Sequence, residues 1–265
     1  MHDFHSYLPE VIRLAELAGE KILEIYKTDF NVETKEDNSP LTQADLRAHH
    51  AIVDGLTKLT PDIPVLSEES SITAFEERSK WNQYWLIDPL DGTREFVKKN
   101  GEFTVNIALI KNHQPVIGVV YVPVTHIHYY ASLDSGAYKK VPNEEVVNIQ
   151  VRAKPDQKIM VAGSRSHRGS SLENFLKHFE EYEIISMGSS LKLCLVAEGI
   201  ADIYPRLGPT SEWDIAAAQC IVEAAGGYVT DTQMKPMKYN TKDSLLNPHF
   251  FVFGDKTIQW SSFLD

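Results

Sequence analysis

Tyr84-Trp85-Leu86-Ile87-Asp88-Pro89-Leu90-Asp91-Gly92-Thr93-Arg94-Glu95-Phe96 is the stretch around which the chain is organised. Its apolar run, Tyr84 to Ile87, predicts a buried strand. The run should stop at Asp88-Pro89, because proline has no N–H to give to a ladder. Asp88 and Asp91 then bracket a tight turn closed by Gly92 and Thr93. Carboxylates this close raise each other's pKa unless a cation lies between them. A hard divalent metal with oxygen ligands, Mg²⁺ above all, keeps both ionised at the end of a buried strand. The amides and hydroxyl of Gly92 and Thr93 could hold a phosphate oxygen, especially if a helical turn begins there. Alone, D-x-x-D-G-T equally describes a strand-ending turn with solvated aspartates.

Upstream, apolar residues at Val11, Leu14, Ala15, Leu17, Ala18, Ile22 and Ile25 predict a helix from Leu8 to Tyr26. Thr28 to Thr42 is polar and reads as a loop. A second helix is expected from about Thr42, as N-cap, to Leu59. Val65-Leu66 begins a short strand leading to Glu68-Glu69, and Ser70 to Lys80 reads as a charged connector. Downstream, Phe103 to Ile110 and Val116 to Val122 are β-rich runs joined by a short turn, an antiparallel pair. Thr125 to Ala131, Gly136 to Lys140 and Val147 to Val151 extend the sheet, with His126 and His128 alternating on one strand face as ordinary strand residues.

Around Pro155 the character changes. Strands at Lys158 to Ala162, Glu183 to Ser186 and Ala201 to Tyr204 alternate with helices at Ser171 to Phe179, Gly188-Ser189-Ser190 to Glu198, and Asp214 to Ala225, the last stopped by Gly226-Gly227. The division is therefore an α+β half over residues 1–154 and an α/β half over 155–265.

With 265 residues, 43% hydrophobic, the chain has enough apolar material for a sizeable core. A net charge of -11 argues against a nucleic-acid polymer as partner. It leaves room for a small phosphorylated substrate, because a metal supplies positive charge locally. Cys194 and Cys220 lie in apolar helical stretches and read as buried free thiols. Met1-His2-Asp3-Phe4-His5 lacks the features of a signal peptide, and no apolar run reaches the ~18 residues of a membrane span, so the expectation is a cytoplasmic protein without a transmembrane segment.

Two further strings accompany the central one: Leu66-Ser67-Glu68-Glu69-Ser70 and Glu212-Trp213-Asp214-Ile215-Ala216-Ala217. Together the three resemble the signature of the inositol monophosphatase superfamily of Mg²⁺-dependent, lithium-sensitive phosphatases. The phrases WLIDPLDGTREFVKKNGEFTVNIALI (85–110), VAGSRSH (161–167), GSSLKLCLVAEG (188–199) and YPRLGPTSEWD (204–214) are most similar to its bacterial bisphosphate nucleotidase branch. The resemblance runs from about Leu41 to the C-terminal region. It implies the layered αβαβα sugar-phosphatase fold with the site between the halves, and peripheral membrane association is compatible with it.

The same resemblance implies the site. Glu68, Asp88, Asp91 and Asp214 fall on the family's metal-binding carboxylates, and Leu90 offers its carbonyl oxygen. Such carboxylates converging without basic neighbours would be strongly unfavourable, but two or three Mg²⁺ neutralise them. Asp214 also heads a helix, where it serves as N-cap and ligand together; Glu69 supports the ligands without joining them. Asp45 and Thr93, with Glu68, match the catalytic positions, the carboxylate of Asp45 orienting the Thr93 hydroxyl towards the attacking water. Glu68, Leu90, Asp91, Gly92, Thr93, Gly188, Ser190, Arg206 and Asp214 are implied substrate contacts, with Ser164 and His167 towards the nucleoside. Arg206 stands where inositol monophosphatases carry a glutamate, and a guanidinium there suits a second phosphate; a surface carboxylate is its other natural partner. Lys35 to Thr42 resembles the family's lid loop.

The implied activity is hydrolysis of the 3'-phosphate of 3'-phosphoadenosine 5'-phosphate (PAP), or of its sulfated form PAPS, to leave AMP by in-line attack of a metal-activated water. This would place the protein in PAP recycling or sulfur assimilation. Inositol monophosphatase or another small sugar-phosphate phosphatase is the alternative within the family. A phosphosugar- or metal-binding sensor is the alternative outside catalysis, and it has no need of Asp45 and Thr93. Pro89 stands where an aspartyl-phosphate phosphatase would need its nucleophile, which excludes that class.

Overall fold

The computed structural model describes residues 4–28, 40–154, 158–164 and 170–264. Helix α1 (Leu8–Tyr26) buries Leu8, Val11, Leu14, Ala15, Ala18 and Ile22 as one stripe. Helix α2 (Pro40–Leu59) packs beside it. It begins two residues before Thr42, the expected cap, because proline lacks the N–H that the first turn would leave unpaired anyway. Both helices cover one face of a seven-stranded sheet.

That sheet runs in chain order: β1 (Val65–Ser67), then helix α3 (Phe75–Arg78), β2 (Gln83–Asp91), helix α4 (Thr93–Val97), β3 (Thr104–Lys111), β4 (Gln114–Val122), β5 (Ile127–Ser132), β6 (Gly136–Lys140) and β7 (Val147–Asn148). Strand β1 is parallel to β2 and every other pair is antiparallel. The central strand does not stop at Asp88-Pro89. Asp88 pairs with Asn106 and Asp91 with Thr104, so Pro89 and Leu90 together face Val105 in a bulge. A bulge asks no ladder N–H of its extra residue, and β1 has already ended at the Ser67–Ile87 pair. Thus proline re-aims the strand instead of ending it.

Strand β8 (Ile159–Gly163), helix α5 (Ser170–Leu176), β9 (Tyr182–Ser186), helix α6 (Leu191–Ala197), β10 (Ile203–Arg206), helix α7 (Glu212–Ala224), β11 (Tyr228–Asp231) and β12 (Phe250–Phe253) complete the fold. The second sheet has the order β11-β12-β10-β8-β9. Its β8, β9 and β10 are parallel, while β12 runs antiparallel to both β10 and β11. Strands β11 and β12 lie beyond the last element legible in the pattern. β10 ends two residues later than expected, which makes Arg206 a strand residue paired with Phe250.

Period-two alternation on β2 sends Trp85 and Ile87 towards α1 and α2, and Tyr84 and Leu86 towards α6 and α7. Helices α6 and α7 fill the space between the sheets with Leu193, Val196, Ala216, Ala217 and Cys220. A third apolar cluster joins Phe175 of α5, Phe251 of β12 and Trp260 on the far side of the second sheet. The layers are helix, sheet, helix, sheet, helix. Helix α7 comes so close to the first sheet that a Cβ on Gly118 would lie 2.1 Å from the Ala217 carbonyl oxygen.

Cys194 and Cys220 are buried free thiols. His128 lies on β5, buried, with Nε2 2.9 Å from a Glu16 carboxylate oxygen. His126 does not share its strand face: it occupies the preceding turn at φ 55, its Nδ1 2.7 Å from the Tyr121 hydroxyl. Among the described residues no helix is long and apolar enough to cross a membrane.

Candidate active site

The bulge at Pro89-Leu90 separates the buried Asp88 from Asp91, which lines a cleft. Asp88 is 1% exposed. Its carboxyl is held well above the usual carboxylate range, first by burial and then by the charges of Glu68, Asp91, Asp214 and Asp45. These five acidic residues come from β2, the end of β1, α7 and α2, so the fold gathers groups that the chain keeps far apart. Asp214 is pushed up to about 8, mainly by burial and then by Asp91, with the Ser211 N–H acting in the opposite direction.

Local hydrogen bonds orient each carboxylate. Leu90 N–H donates to Asp88 Oδ1 at 3.1 Å across the bulge. Asp91 Oδ2 accepts the Ser189 hydroxyl at 2.5 Å and the Ser190 N–H at 2.7 Å. Asp214 Oδ2 accepts the Ser211 N–H at 2.9 Å. Asp214 is therefore not the helix cap. Ser211 caps α7, and Asp214 is the third helical residue of a capping box.

Gly92 adopts φ 94, and a Cβ there would lie 3.2 Å from Glu102 O, so the turn between Asp91 and Thr93 requires glycine. Thr93 starts α4, which packs against α2, the helix that carries Asp45. The Gly188 N–H donates to Glu102 Oε2 at 2.9 Å. The backbone donors of Gly188 and Ser190, anticipated as phosphate contacts, are thus engaged by Glu102 and Asp91. Ser164 lines the cleft, while His167 and Lys35 to Ser39 of the expected lid loop lie outside the described residues.

The cleft is also lined by two basic residues, Arg206, which the sequence reading expected there, and Lys192, which it did not. Lys192 is 7% exposed, donates to Ser189 O at 2.6 Å and lies 5.6 Å from the Tyr204 ring centre. Burial lowers its pKa to about 8 against the pull of Asp91. Arg206 Nη2 donates to Pro209 O at 2.8 Å, and its charge acts on Asp214. Lys192 is a residue that sequence reasoning missed. The available signal was a lone lysine inside the apolar run of α6. A second cleft continues from Ser164, Tyr204 and Arg206 to Leu172 and Pro209.

Among the described residues no three acidic, histidine or cysteine side chains form a finished metal cage. The donor chemistry nevertheless fits a hard divalent cation: the gathered acidic side chains offer oxygen alone, and Asp88 and Asp214 are buried beside other carboxylates that oppose their ionisation. One oxygen of Asp88, Asp91 and Asp214 is held by a protein donor, which fixes the plane of the other.

Known proteins resemble this chain in sequence and in fold. A model of the inositol monophosphatase family matches residues 5–256. The 3'(2'),5'-bisphosphate nucleotidase CysQ of Escherichia coli K12 is 48% identical over 247 residues, covering 92% of this chain and 98% of that protein. The Haemophilus influenzae protein of the same name is 38% identical over 256 residues, covering 96% and 95%. The crystal structure of CysQ from Bacteroides thetaiotaomicron superposes with a TM-score of 0.87 at 43% identity, over 96% of this chain and 99% of that one. An inositol monophosphatase from Zymomonas mobilis, 23% identical, shares the fold with a TM-score of 0.81 over 99% of both chains. With a family match along nearly its whole length and relatives close to half identical, the chain belongs to the inositol monophosphatase family.

Proposed function

We propose that the protein is a Mg²⁺-dependent 3'(2'),5'-bisphosphate nucleotidase that removes the 3'-phosphate of PAP, and of PAPS, to leave the 5'-phosphorylated nucleotide. The observation that carries this reading is the mixed lining of the cleft, which brings the carboxylates of Asp91 and Asp214 together with the cations of Lys192 and Arg206. A monophosphate needs only the acidic side and its cation. A bisphosphate needs a second, basic anchor at a separate position. Relatives along the whole chain bear the name of this activity, and enzymes of the family depend on Mg²⁺.

In this reading Glu68, Asp88, Asp91, Asp214 and the Leu90 carbonyl hold two or three Mg²⁺. When bound, the cation neutralises the carboxylates, draws in phosphate oxygens and lowers the pKa of water. The chain's own residues do the rest. Asp45 accepts a hydrogen bond from the Thr93 hydroxyl and orients it, and as Thr93 Oγ1 receives the proton of the attacking water its own proton passes to the Asp45 carboxylate. The Gly92–Thr93 turn faces the phosphate being cut. Lys192 and Arg206 hold the second phosphate and so align the scissile bond for in-line attack. Ser164 and His167 flank the nucleoside. The half up to residue 154 supplies most cation ligands, and the half from 155 supplies Asp214 and the substrate anchors.

Phosphate release from PAP, PAPS, inositol 1-phosphate and fructose 1,6-bisphosphate, each with and without Mg²⁺, tests the proposal. PAP or PAPS should be turned over with the highest kcat/KM, and only with Mg²⁺. Preference for inositol 1-phosphate, or full activity in excess chelator, would overturn it.

A further inference from the structure

Arg78 lies in the segment that reads as a charged connector, and it is 0% exposed. Its guanidinium lies 4.9 Å over the Phe75 ring and reaches the segment after Tyr239. There it donates to Asn240 Oδ1 and the Asp243 carbonyl, and to Lys242 O at 3.2 Å. Asn240 answers with its own amide, donating from Nδ2 to Arg78 O at 2.6 Å.

The segment so gripped is laced onto the first turn of α7. The Asn240 N–H donates to Glu212 Oε2 at 2.9 Å, and the Glu212 N–H to Leu245 O at 2.8 Å. Ser211 and Leu246 form a β-bridge. Asn247 donates from Nδ2 to Ser211 O at 2.6 Å and from its N–H to Thr210 O at 2.8 Å. Ser211 in turn holds Asp214 Oδ2. An unbroken chain of contacts thus runs from Arg78 to the carboxylate of Asp214.

Stability alone does not call for this arrangement. A buried charged network replaced by apolar side chains of similar volume often loses nothing in stability. What the planar guanidinium contributes is direction, because its fork fixes acceptors on three residues at once. Glu212 and Asn240 are each 1% exposed, so the network is shielded from competing water. A small displacement of Ser211 would turn the Asp214 carboxylate out of register with Asp88 and Asp91 on β2.

We propose that Arg78 and Asn240 are positioning residues that set the placement of Asp214 through the 240–247 segment and the first turn of α7. The proposal rests on Asp214 being a cation ligand, as in the function proposed above.

Asn240→Gly is the decisive variant. Asn240 sits at φ 54, which glycine tolerates, so the change removes the bridge to Arg78 without straining the backbone. Mn²⁺ binding to the purified protein by calorimetry, the melting temperature, and kcat and KM for PAP across Mg²⁺ concentrations would be measured. Phe263→Ala, in the layer beyond the second sheet, serves as a destabilised comparison. Asn240→Gly should weaken Mn²⁺ binding about 10-fold and raise the Mg²⁺ needed for half-maximal rate equally. KM for PAP at saturating Mg²⁺ should stay within about twofold, since the cation then restores the carboxylate's position. Phe263→Ala should lower the melting temperature and leave Mn²⁺ affinity intact. Arg78→Met should behave as Asn240→Gly does, and if it fails to fold, Asn240→Gly decides. Wild-type Mn²⁺ affinity in Asn240→Gly, or an equal loss in Phe263→Ala, would overturn the positioning role. Wild-type protein that neither binds Mn²⁺ nor cleaves PAP would instead overturn the functional reading on which it stands.

Discussion

The Asp91 carboxylate accepts the Ser190 N–H at 2.7 Å, across 99 residues of sequence. Asp91 ends β2 of the first sheet, and Ser190 stands immediately before α6. One carboxylate oxygen therefore ties the acidic wall of the cleft to the loop that introduces Lys192. The neighbouring Ser190 hydroxyl donates to Asn106 Oδ1 at 2.9 Å, on the strand paired with β2. The two contacts fix the loop before α6 against β2 and β3, and so hold Lys192 near Asp91.

Excess chelator should abolish phosphate release, and Mg²⁺ should restore it. Ca²⁺, which prefers larger and looser coordination, should bind without restoring activity, and Li⁺ should inhibit. Asp91→Asn and Asp214→Asn should each lose more than the roughly 10–100-fold typical of residues that only support a ligand. Metal-dependent phosphate release by each variant checks this. Unaltered rates in the asparagine variants would remove these residues from the cation site.

Asp45→Asn and Thr93→Ala should lower kcat by about 10²–10⁴-fold, the usual contribution of a positioned proton acceptor. Cation affinity and melting temperature should change little, since neither residue is assigned as a ligand. Steady-state kinetics with calorimetry separates the outcomes: a variant that keeps wild-type turnover, or one that loses Mg²⁺ binding, contradicts the assignment.

Lys192→Met and Arg206→Glu should raise KM for PAP by about 10–100-fold, the equivalent of one lost charge-assisted hydrogen bond. KM for adenosine 2'-monophosphate, which has no second phosphate, should change far less. Comparable losses on both substrates would place these cations at the scissile phosphate.

Glu223, near the end of α7, is raised to about 7 by burial, against the hydrogen bond from Gln219 Nε2 at 2.8 Å. Below about pH 4.5 the carboxyl is protonated in folded and unfolded chains alike. Between that value and 7 the unfolded chain ionises while the folded chain keeps its proton, so stability falls as pH rises and is lowest above 7. Glu223→Gln retains an acceptor for Gln219 and cannot ionise. It should be more stable than wild type by about 3 kcal/mol at pH 8 and close to it at pH 4.5. Urea unfolding at the two pH values checks this.

The sequence by itself determined those features in which neighbouring residues act on one another. The apolar stripe of α1 was readable because burial of one face imposes a period of 3.6, and the runs of β3 and β4 because strands covered on both faces are apolar almost throughout. The Asp88-to-Thr93 turn was readable because two carboxylates and a glycine within six residues have few physical explanations. Even there, only the pairing with β3 showed that Pro89 sits in a bulge and that β2 continues to Asp91. Tertiary structure alone decided that Arg78 is a core residue, that Lys192 faces Asp91, and that Phe250–Phe253 forms a strand between β10 and β11. A lysine or arginine among charged or apolar neighbours looks the same in sequence whether its partner is water or a carbonyl 165 residues away. That partner exists only once two sheets and the helices between them have packed, and long-range packing leaves no period in the sequence to read.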